Sequence, residues 1–231
     1  MNTQTFDARA AEQAHLLQVY SQSAVEPVRA EDVWLYTRDG RKILDMYGGH
    51  AVASLGYSHP AVTEALHAQA NQLFFQSNAV ALEIRARAAD KLAAFAPDCL
   101  NTVYLVNSGA EANENALRLA LKATGRNKVL AVEHGFHGRT AAAAAVTWGS
   151  DKWYGFPNKP FDVEFIPRDD TAAATQMIDA SVGAVIIELV QGVAGAVDLD
   201  PDFACAIEAA CKQNVVVLIV DEVQTGVGRC G

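Results

Sequence analysis

The chain has 231 residues, a formal net charge of −9, 51% hydrophobic residues and 19% charged residues. This length is enough for one large domain or two small ones with a sizeable core. The acidic balance, without any block of lysines and arginines, argues against a nucleic-acid partner. No run approaches the length of about 18 apolar residues that spans a membrane, and Met1 to His15 contains no signal-peptide pattern.

The four cysteines fit neither a zinc site nor a disulfide framework in their spacing. Cys205 and Cys211 lie within one predicted helix, whereas Cys99 and Cys230 are far from them and from each other. We therefore expect free thiols in a reducing compartment, no metal, and a cytoplasmic location.

The N-terminal segment is predicted to be a polar arm with some helix, followed by a β-hairpin. Residues 33–36 and 42–45 are strand-like runs on either side of Asp39-Gly40, which is a turn signal. We expect residues 1–55 to form this arm and hairpin segment, and residues 56–231 to form the main domain.

Two helices are predicted first in the main domain, one with Pro60 in its first turn and one over 82–95. Strands and helices then alternate: strands at 103–106, 128–133, 162–166, 182–187 and 215–220, helices at 110–124, 140–146, 171–179 and 201–213. Such alternation predicts an α/β fold, in which a mostly parallel sheet carries helices on both faces.

Four polar motifs each follow one of these apolar runs: Asn107–Ala112, Glu133–Thr140, Glu188–Gly192 and Asp221–Gly226. In an open parallel sheet, ligands bind beyond the carboxyl ends of the strands. The four motifs are therefore expected to meet at one edge of the sheet and to form one site.

In the first motif, Ser108, Gly109, Ala110 and Glu111 lead from a strand into a helix. Free backbone N–H groups and the helix dipole favour a phosphate at such a place. Ser108 and Glu111 also have the spacing of a capping box, a purely structural role that is compatible with anion binding.

Each of the other motifs allows a functional and a structural interpretation. Phe136 lies between two glycines and could stack on a flat ring or anchor its loop. Arg139 could bind a carboxylate or be a structural charge. Asp221 and Glu222 follow an apolar strand and could face a protonated ring nitrogen, or else cap a helix or form a salt bridge.

Two further patterns carry no site. His134 and His137 have no partner ligands at metal spacing. The glycines of Gly226–Gly231 match G-x-G-x-x-G, but no helix and no acidic residue follows them, so a dinucleotide site is rejected.

Taken together, the segments Asn107–Glu114, Glu133–Thr140, Glu188–Gly195 and Asp221–Gly231 resemble the class III aminotransferases. The similarity runs from about Val33 to the end of the sequence, and within the class it is strongest to acetylornithine and succinylornithine aminotransferases. The resemblance implies a fold-type I enzyme that uses pyridoxal 5′-phosphate. It also implies ping-pong transamination from an amino donor to a keto acid such as 2-oxoglutarate, and a homodimer for the full-length enzyme.

The resemblance implies cofactor-binding roles for seven residues: Gly109, Ala110, Phe136, Asp221, Glu222, Val223 and Gln224. The backbone N–H groups of Gly109 and Ala110 would hold the phosphate. Asp221, the catalytic residue, would pair with the ring nitrogen and keep it protonated.

Phe136 and Val223 would lie on the two faces of the ring, and Gln224 would contact the ring hydroxyl. Two further residues would bind substrate. Arg139 would bind a carboxylate of the substrate, and Glu188 would lie close to both substrate and cofactor.

The sequence departs from the family pattern at several points. The family's Glu-Pro-x-Gln-Gly-Glu motif has Leu189 in place of proline and Val193 in place of the second glutamate, which puts dual-substrate handling in doubt. Cys230 replaces a common threonine, with little consequence expected.

The lysines also depart from the pattern. The family places its Schiff-base lysine after the segment that contains Asp221. In this sequence all seven lysines precede Asp221: Lys42, Lys91, Lys122, Lys128, Lys152, Lys159 and Lys212. The chain is therefore expected to be an incomplete form that ends before the last sheet strands and the C-terminal small domain, with little activity alone. The resemblance predicts that strands after Asp221 insert between the 103–106 strand and the 182–187 strand.

Two other functions stay open. One is a different class III aminotransferase, acting on GABA, ornithine or a diaminopelargonate precursor. The other is a non-catalytic module of the same fold that acts with a partner chain.

Overall fold

The computed structural model describes residues 6–230, which form two compact units. One unit contains the described residues up to Gly49 together with Leu55–Gln72, and the other contains His50–Ser54 and the residues from Leu73 onward. The units alternate along the sequence. The predicted division into segments 1–55 and 56–231 stays a prediction.

The first third of the chain contains a small antiparallel sheet and several helices: α1 (Ala8–His15), β1 (Pro27–Glu31), β2 (Trp34–Thr37), β3 (Lys42–Leu44), the short α2 (Gly48–Ala51) and α3 (Pro60–Gln72). The hairpin of β2 and β3 is confirmed, with Trp34 opposite Leu44 and Gly40 at φ +85° in the turn. Strand β1 was missed, because it is short and lies next to a mostly polar N-terminal segment, and it forms a strand by pairing with β2.

The second unit contains the remaining elements: α4 (Glu83–Phe95), α5 (Gly109–Thr124), β4 (Lys128–Val132), α6 (Ala141–Ala145), β5 (Asp162–Ile166), α7 (Thr171–Met177), β6 (Val182–Ile187), β7 (Val190–Gln191), β8 (Val197–Asp198), α8 (Pro201–Asn214) and β9 (Val217–Val220). The main sheet has the order β5-β4-β6-β9, and all its neighbouring pairs are parallel. The predicted α/β fold is confirmed.

Alternate residues of the central strands face opposite sides of the sheet and bury two separate cores. In β4, Leu130 and Val132 join the core under α7 and α8, whereas Val129 and Ala131 join the core under α5 and α6. All six residues of β6 are buried. Burial on both faces explains why these strands read as continuous apolar runs instead of alternating ones.

Local signals set the helix ends. Ser108 caps α5, Asp170 caps α7 and Asp200 caps α8, each through a side-chain oxygen that accepts a backbone N–H. Helix α5 ends at Gly125, whose φ of +68° is the left-handed conformation that closes many helices.

The predicted strand at 103–106 is wrong. These residues pair with no strand among residues 6–230, and Tyr104 and Leu105 are exposed. An apolar run forms a strand only where a neighbour completes its hydrogen bonds. In the described part of the chain β9 lies beside β6, and the other edge of β9 has no partner.

Among the described residues, no helix combines the length and apolarity that crossing a membrane requires.

Candidate active site

The carboxyl ends of β4, β6 and β9 lead into the loops that carry the predicted site residues. Glu188 directly follows β6, and Asp221 directly follows β9. Because these strands are parallel and adjacent, their loops emerge at the same edge of the sheet, beside the N-terminus of α5.

Asp221 is the centre of a buried hydrogen-bond network. Its Oδ2 is 2.8 Å from Nδ1 of His137 and accepts a hydrogen bond of 2.7 Å from Nδ2 of Asn113. Its Oδ1 accepts the backbone N–H of Val223 at 3.0 Å. The residue is only 6% exposed, so these donors replace the water that a carboxylate loses on burial.

Glu188 is a second buried carboxylate on the same edge. Its Oε1 accepts the backbone N–H of Phe136 at 2.7 Å, and its Oε2 accepts that of Gly192 at 3.4 Å. Burial raises the pKa of the Glu188 carboxyl above its ordinary value, and this effect outweighs the opposing hydrogen bond from Phe136 and the attraction of His137. Glu188 thereby ties the loop after β4 to the loop after β6.

The N-terminus of α5 carries the predicted cap with one change of partner. Ser108 Oγ accepts the N–H of Glu111 at 3.1 Å, but the Glu111 carboxylate reaches back to the N–H of Asn107 at 2.7 Å instead of that of Ser108. Within residues 6–230, no acceptor takes the N–H groups of Gly109 and Ala110. These two donors are available to an anion.

Close backbone approaches join α5 to the other motifs. A Cβ on Gly109 would overlap the Val223 side chain, so only glycine allows the turn after β9 to approach α5 this closely. A Cβ on Gly138 would lie 2.7 Å from Cβ of Ala110, and Gly138 has a φ of +130° that other residues rarely adopt.

The contacts bring most of the predicted site residues into one cluster: Gly109, Ala110, Phe136, Glu188, Asp221, Val223 and Gln224. Gln224 joins through its side-chain amide, whose Oε1 occupies the place that a Cβ on Gly192 would need. The exposed side chains of Glu222 and Arg139 lie on the same two loops. No hydrogen bond of the Glu222 carboxylate is found in the described part of the chain, and the functional roles assigned to all these residues stay predictions.

The residues that orient Asp221 and its neighbouring loop were not predicted: Asn113, Glu114, His137 and Thr147. His137 was considered only as a metal ligand, and no cluster of three or more potential metal ligands exists among residues 6–230. One signal was present, because Asn113 occupies the buried face of α5 at i, i+4 and i+7 with Leu117 and Ala120. A polar residue on an apolar helix face needs a buried partner.

A parallel sheet with these loop motifs at its carboxyl edge matches a known enzyme class. The sequence profile described as Aminotransferase class-III matches residues 18–231. The chain therefore belongs to the class III aminotransferases, a family of pyridoxal-phosphate-dependent enzymes.

Among curated relatives, an acetylornithine aminotransferase of Methanopyrus kandleri is 40% identical over 228 residues, which cover 97% of this chain and 58% of the relative. An acetylornithine aminotransferase of Bacillus amyloliquefaciens is 38% identical over 218 residues, which cover 94% of this chain and 94% of the relative. An ornithine aminotransferase of Toxoplasma gondii, crystallised with partial occupancy of the cofactor at its active site, superposes with a TM-score of 0.87 at 27% identity. That match covers 94% of this chain and 53% of the other.

Proposed function

We propose that the carboxyl edge of the main sheet binds pyridoxal 5′-phosphate and serves transamination from an ω-amino donor such as N-acetylornithine to 2-oxoglutarate. The observation that carries this proposal is the cluster itself. Two N–H groups at a helix N-terminus, which have no acceptor in the described part of the chain, come together with an aromatic loop residue and a buried carboxylate.

The residues present fit the cofactor. When bound, the cofactor supplies an aldehyde that carries the amino group and a ring that withdraws electrons from it. The N–H groups of Gly109 and Ala110 would hold the phosphate at the positive end of α5. Asp221 would accept the N–H of the ring nitrogen, and a buried carboxylate holds that proton strongly because little water competes for it.

The remaining site residues would orient the ring and the substrate. Phe136 and Val223 would lie against the two ring faces, and Gln224 would contact the ring hydroxyl. Arg139 would bind a substrate carboxylate through its guanidinium group, which forms two parallel hydrogen bonds to such a group. Glu188 would lie near both molecules, and Glu222 would complete the turn that carries Val223 and Gln224.

The choice of donor rests on the relatives named for acetylornithine, at 38–40% identity. Membership of arginine biosynthesis, the homodimer and the cytoplasmic location are parts of the same proposal. A panel of N-acetylornithine, ornithine, GABA and a diaminopelargonate precursor, assayed with 2-oxoglutarate on the protein in the full length that its gene encodes, tests the donor. Glutamate release that is fastest with another donor would contradict the acetylornithine assignment.

Cofactor binding is testable on the 231-residue chain. Pyridoxamine 5′-phosphate has no aldehyde, so it measures the site without reacting with surface lysines. In calorimetric titrations we expect it to bind at least about tenfold more tightly than pyridoxamine, because two hydrogen bonds to a charged phosphate are lost without it. Inorganic phosphate should compete.

The matched control is Asp221→Ala, which should weaken both pyridoxamine ligands while leaving competition by phosphate intact. Equal affinity for the phosphorylated and unphosphorylated ligands, or no binding of either, would refute the proposed cofactor site.

A further inference from the structure

The acceptor positions of Asp221 are almost completely used. A carboxylate offers about four lone-pair positions, two on each oxygen. Both positions of Oδ2 are taken, by Nδ1 of His137 at 2.8 Å and Nδ2 of Asn113 at 2.7 Å. Among residues 6–230, Oδ1 accepts only the backbone N–H of Val223, at 3.0 Å. One lone pair therefore remains, and it lies on Oδ1.

The contact also defines the tautomer of His137. Because a carboxylate oxygen only accepts, Nδ1 must carry the hydrogen. The side chain is fully buried, and Nε2 has no hydrogen-bond partner in the described residues. Nδ1 of His137 is therefore the donor to Oδ2 of Asp221.

His137 is itself fixed from several sides. Its backbone N–H donates to Oγ1 of Thr147 at 2.9 Å, and its carbonyl oxygen accepts from Nδ2 of Asn113 at 2.8 Å. A Cβ on Gly135 would lie only 3.0 Å from Nε2, so the glycine leaves the space that the ring fills. The imidazole cannot follow a rotation of the Asp221 carboxylate and instead prevents it.

We propose that His137 is a positioning residue for the cofactor. Together with Asn113 it occupies Oδ2 of Asp221 and thereby directs the single free lone pair of Oδ1 at the ring nitrogen. The inference rests on the proposed function, because it requires that Asp221 face that nitrogen. The inference adds a residue that acts on cofactor affinity through the ring nitrogen, and not through the phosphate or the faces of the ring.

The test compares two ligands on the 231-residue chain: pyridoxamine 5′-phosphate, and its analogue in which a C–H group replaces the ring nitrogen. Wild type should prefer the nitrogen-containing ligand about tenfold, as expected for one hydrogen bond to a charged group. His137→Phe removes the donor and should reduce this preference to near one. His137→Asn places an amide N–H where Nδ1 was and should restore most of it.

The matched control is His134→Asn, on the same loop. His134 is exposed and has a φ of +67°, a conformation that asparagine tolerates, so the variant should keep the wild-type preference. Circular dichroism of each variant shows whether it is folded.

Four results would overturn the inference. His137→Phe that keeps the wild-type preference would show that Asp221 needs no partner at Oδ2. Equal weakening of both ligands in the phenylalanine and asparagine variants would mean that His137 only maintains the fold. If wild type binds neither ligand, the proposed function fails and the inference fails with it, whereas binding of both ligands without preference refutes the inference alone.

Discussion

Two carboxylates lie at the same edge of the sheet and are stabilised in different ways. Asp221 receives three N–H donors, two of them from side chains. Glu188 receives two backbone N–H groups, one of them at 3.4 Å, and is equally buried. Weaker hydrogen bonding leaves desolvation as the dominant effect on Glu188, so its pKa is raised.

The raised pKa of Glu188 makes its contribution to stability depend on pH. The contribution is fully present below the ordinary pKa of 4.5 and is lost as the pH rises through the raised value. Glu188→Gln keeps an acceptor for the Phe136 N–H but cannot ionise. We therefore expect wild type to lose stability relative to this variant between pH 4.5 and neutral pH, as measured by urea unfolding at low protein concentration.

Glu208→Gln, at an exposed position of α8, is the control and should show no such change relative to wild type. A constant difference between wild type and Glu188→Gln across this pH range would contradict the prediction.

At the scale of elements, Glu114 attaches the site loop to α5. Its carboxylate accepts the Thr140 hydroxyl at 2.6 Å and the N–H groups of Ala142 and Ala143 at 3.0 and 3.1 Å. These N–H groups belong to the first turn of α6, where no intrahelical acceptor exists. Thr140 precedes α6 but its side chain does not cap the helix. The carboxylate of Glu114, on the neighbouring helix α5, accepts these N–H groups instead.

Glu114→Ala should therefore destabilise the chain by about 1–3 kcal/mol, the cost of leaving these donors unpaired. The amides of Ala142 and Ala143 should exchange with deuterium faster, because they lose their acceptor, whereas exchange in the strands of the main sheet should be unchanged. Hydrogen exchange followed by mass spectrometry measures both effects.

Glu83→Ala is the comparison, since Glu83 makes an exposed ion pair with Arg87 on α4. Such a pair contributes at most about 0.5 kcal/mol. Unchanged exchange in residues 141–145 of Glu114→Ala would show that α6 does not depend on this cap.

At the scale of the whole molecule, several large apolar side chains of the second unit are exposed. Phe74 and Phe75 are 87% and 77% exposed, and Tyr104 is 67% exposed. Within residues 6–230, β9 also has one edge without a partner strand. Exposed apolar surface and open strand edges both favour association with other chains.

We therefore expect the 231-residue chain to self-associate at micromolar concentration, as measured by size-exclusion chromatography with light scattering. Replacing Phe74 and Phe75 together with serine should reduce the association, because the two rings lose their favourable burial. Val193→Ser, at an exposed loop position, should have a smaller effect since a smaller side chain is removed.

The outcome that would contradict this prediction is a monomer at all concentrations that melts in one cooperative transition. A single defined dimer would instead support the homodimer that the family resemblance implies.

The part of the fold that sequence could predict is the part that depends on short-range pattern. Strands β5 and β6 were predicted at their observed bounds, and α5 within a residue, because each combines an apolar run or helical period with nearby end signals. Three of the four loop motifs follow strands that the structure contains, β4, β6 and β9, whereas Asn107–Ala112 does not, and the roles of the motif residues stay predictions. Residues 103–106 misled the prediction because their apolar pattern does not reveal whether a neighbouring strand is present.

By itself, the sequence determined the alternation of strands and helices, the cap of α5, and the loops that follow β4, β6 and β9. These features depend on residues a few positions apart. Only the tertiary structure decided that Asp221 contacts His137 and Asn113, which are 84 and 108 positions away, and that Glu114 caps α6. Such partners are brought together by the order of strands in the sheet, and that order depends on pairing and burial throughout the unit.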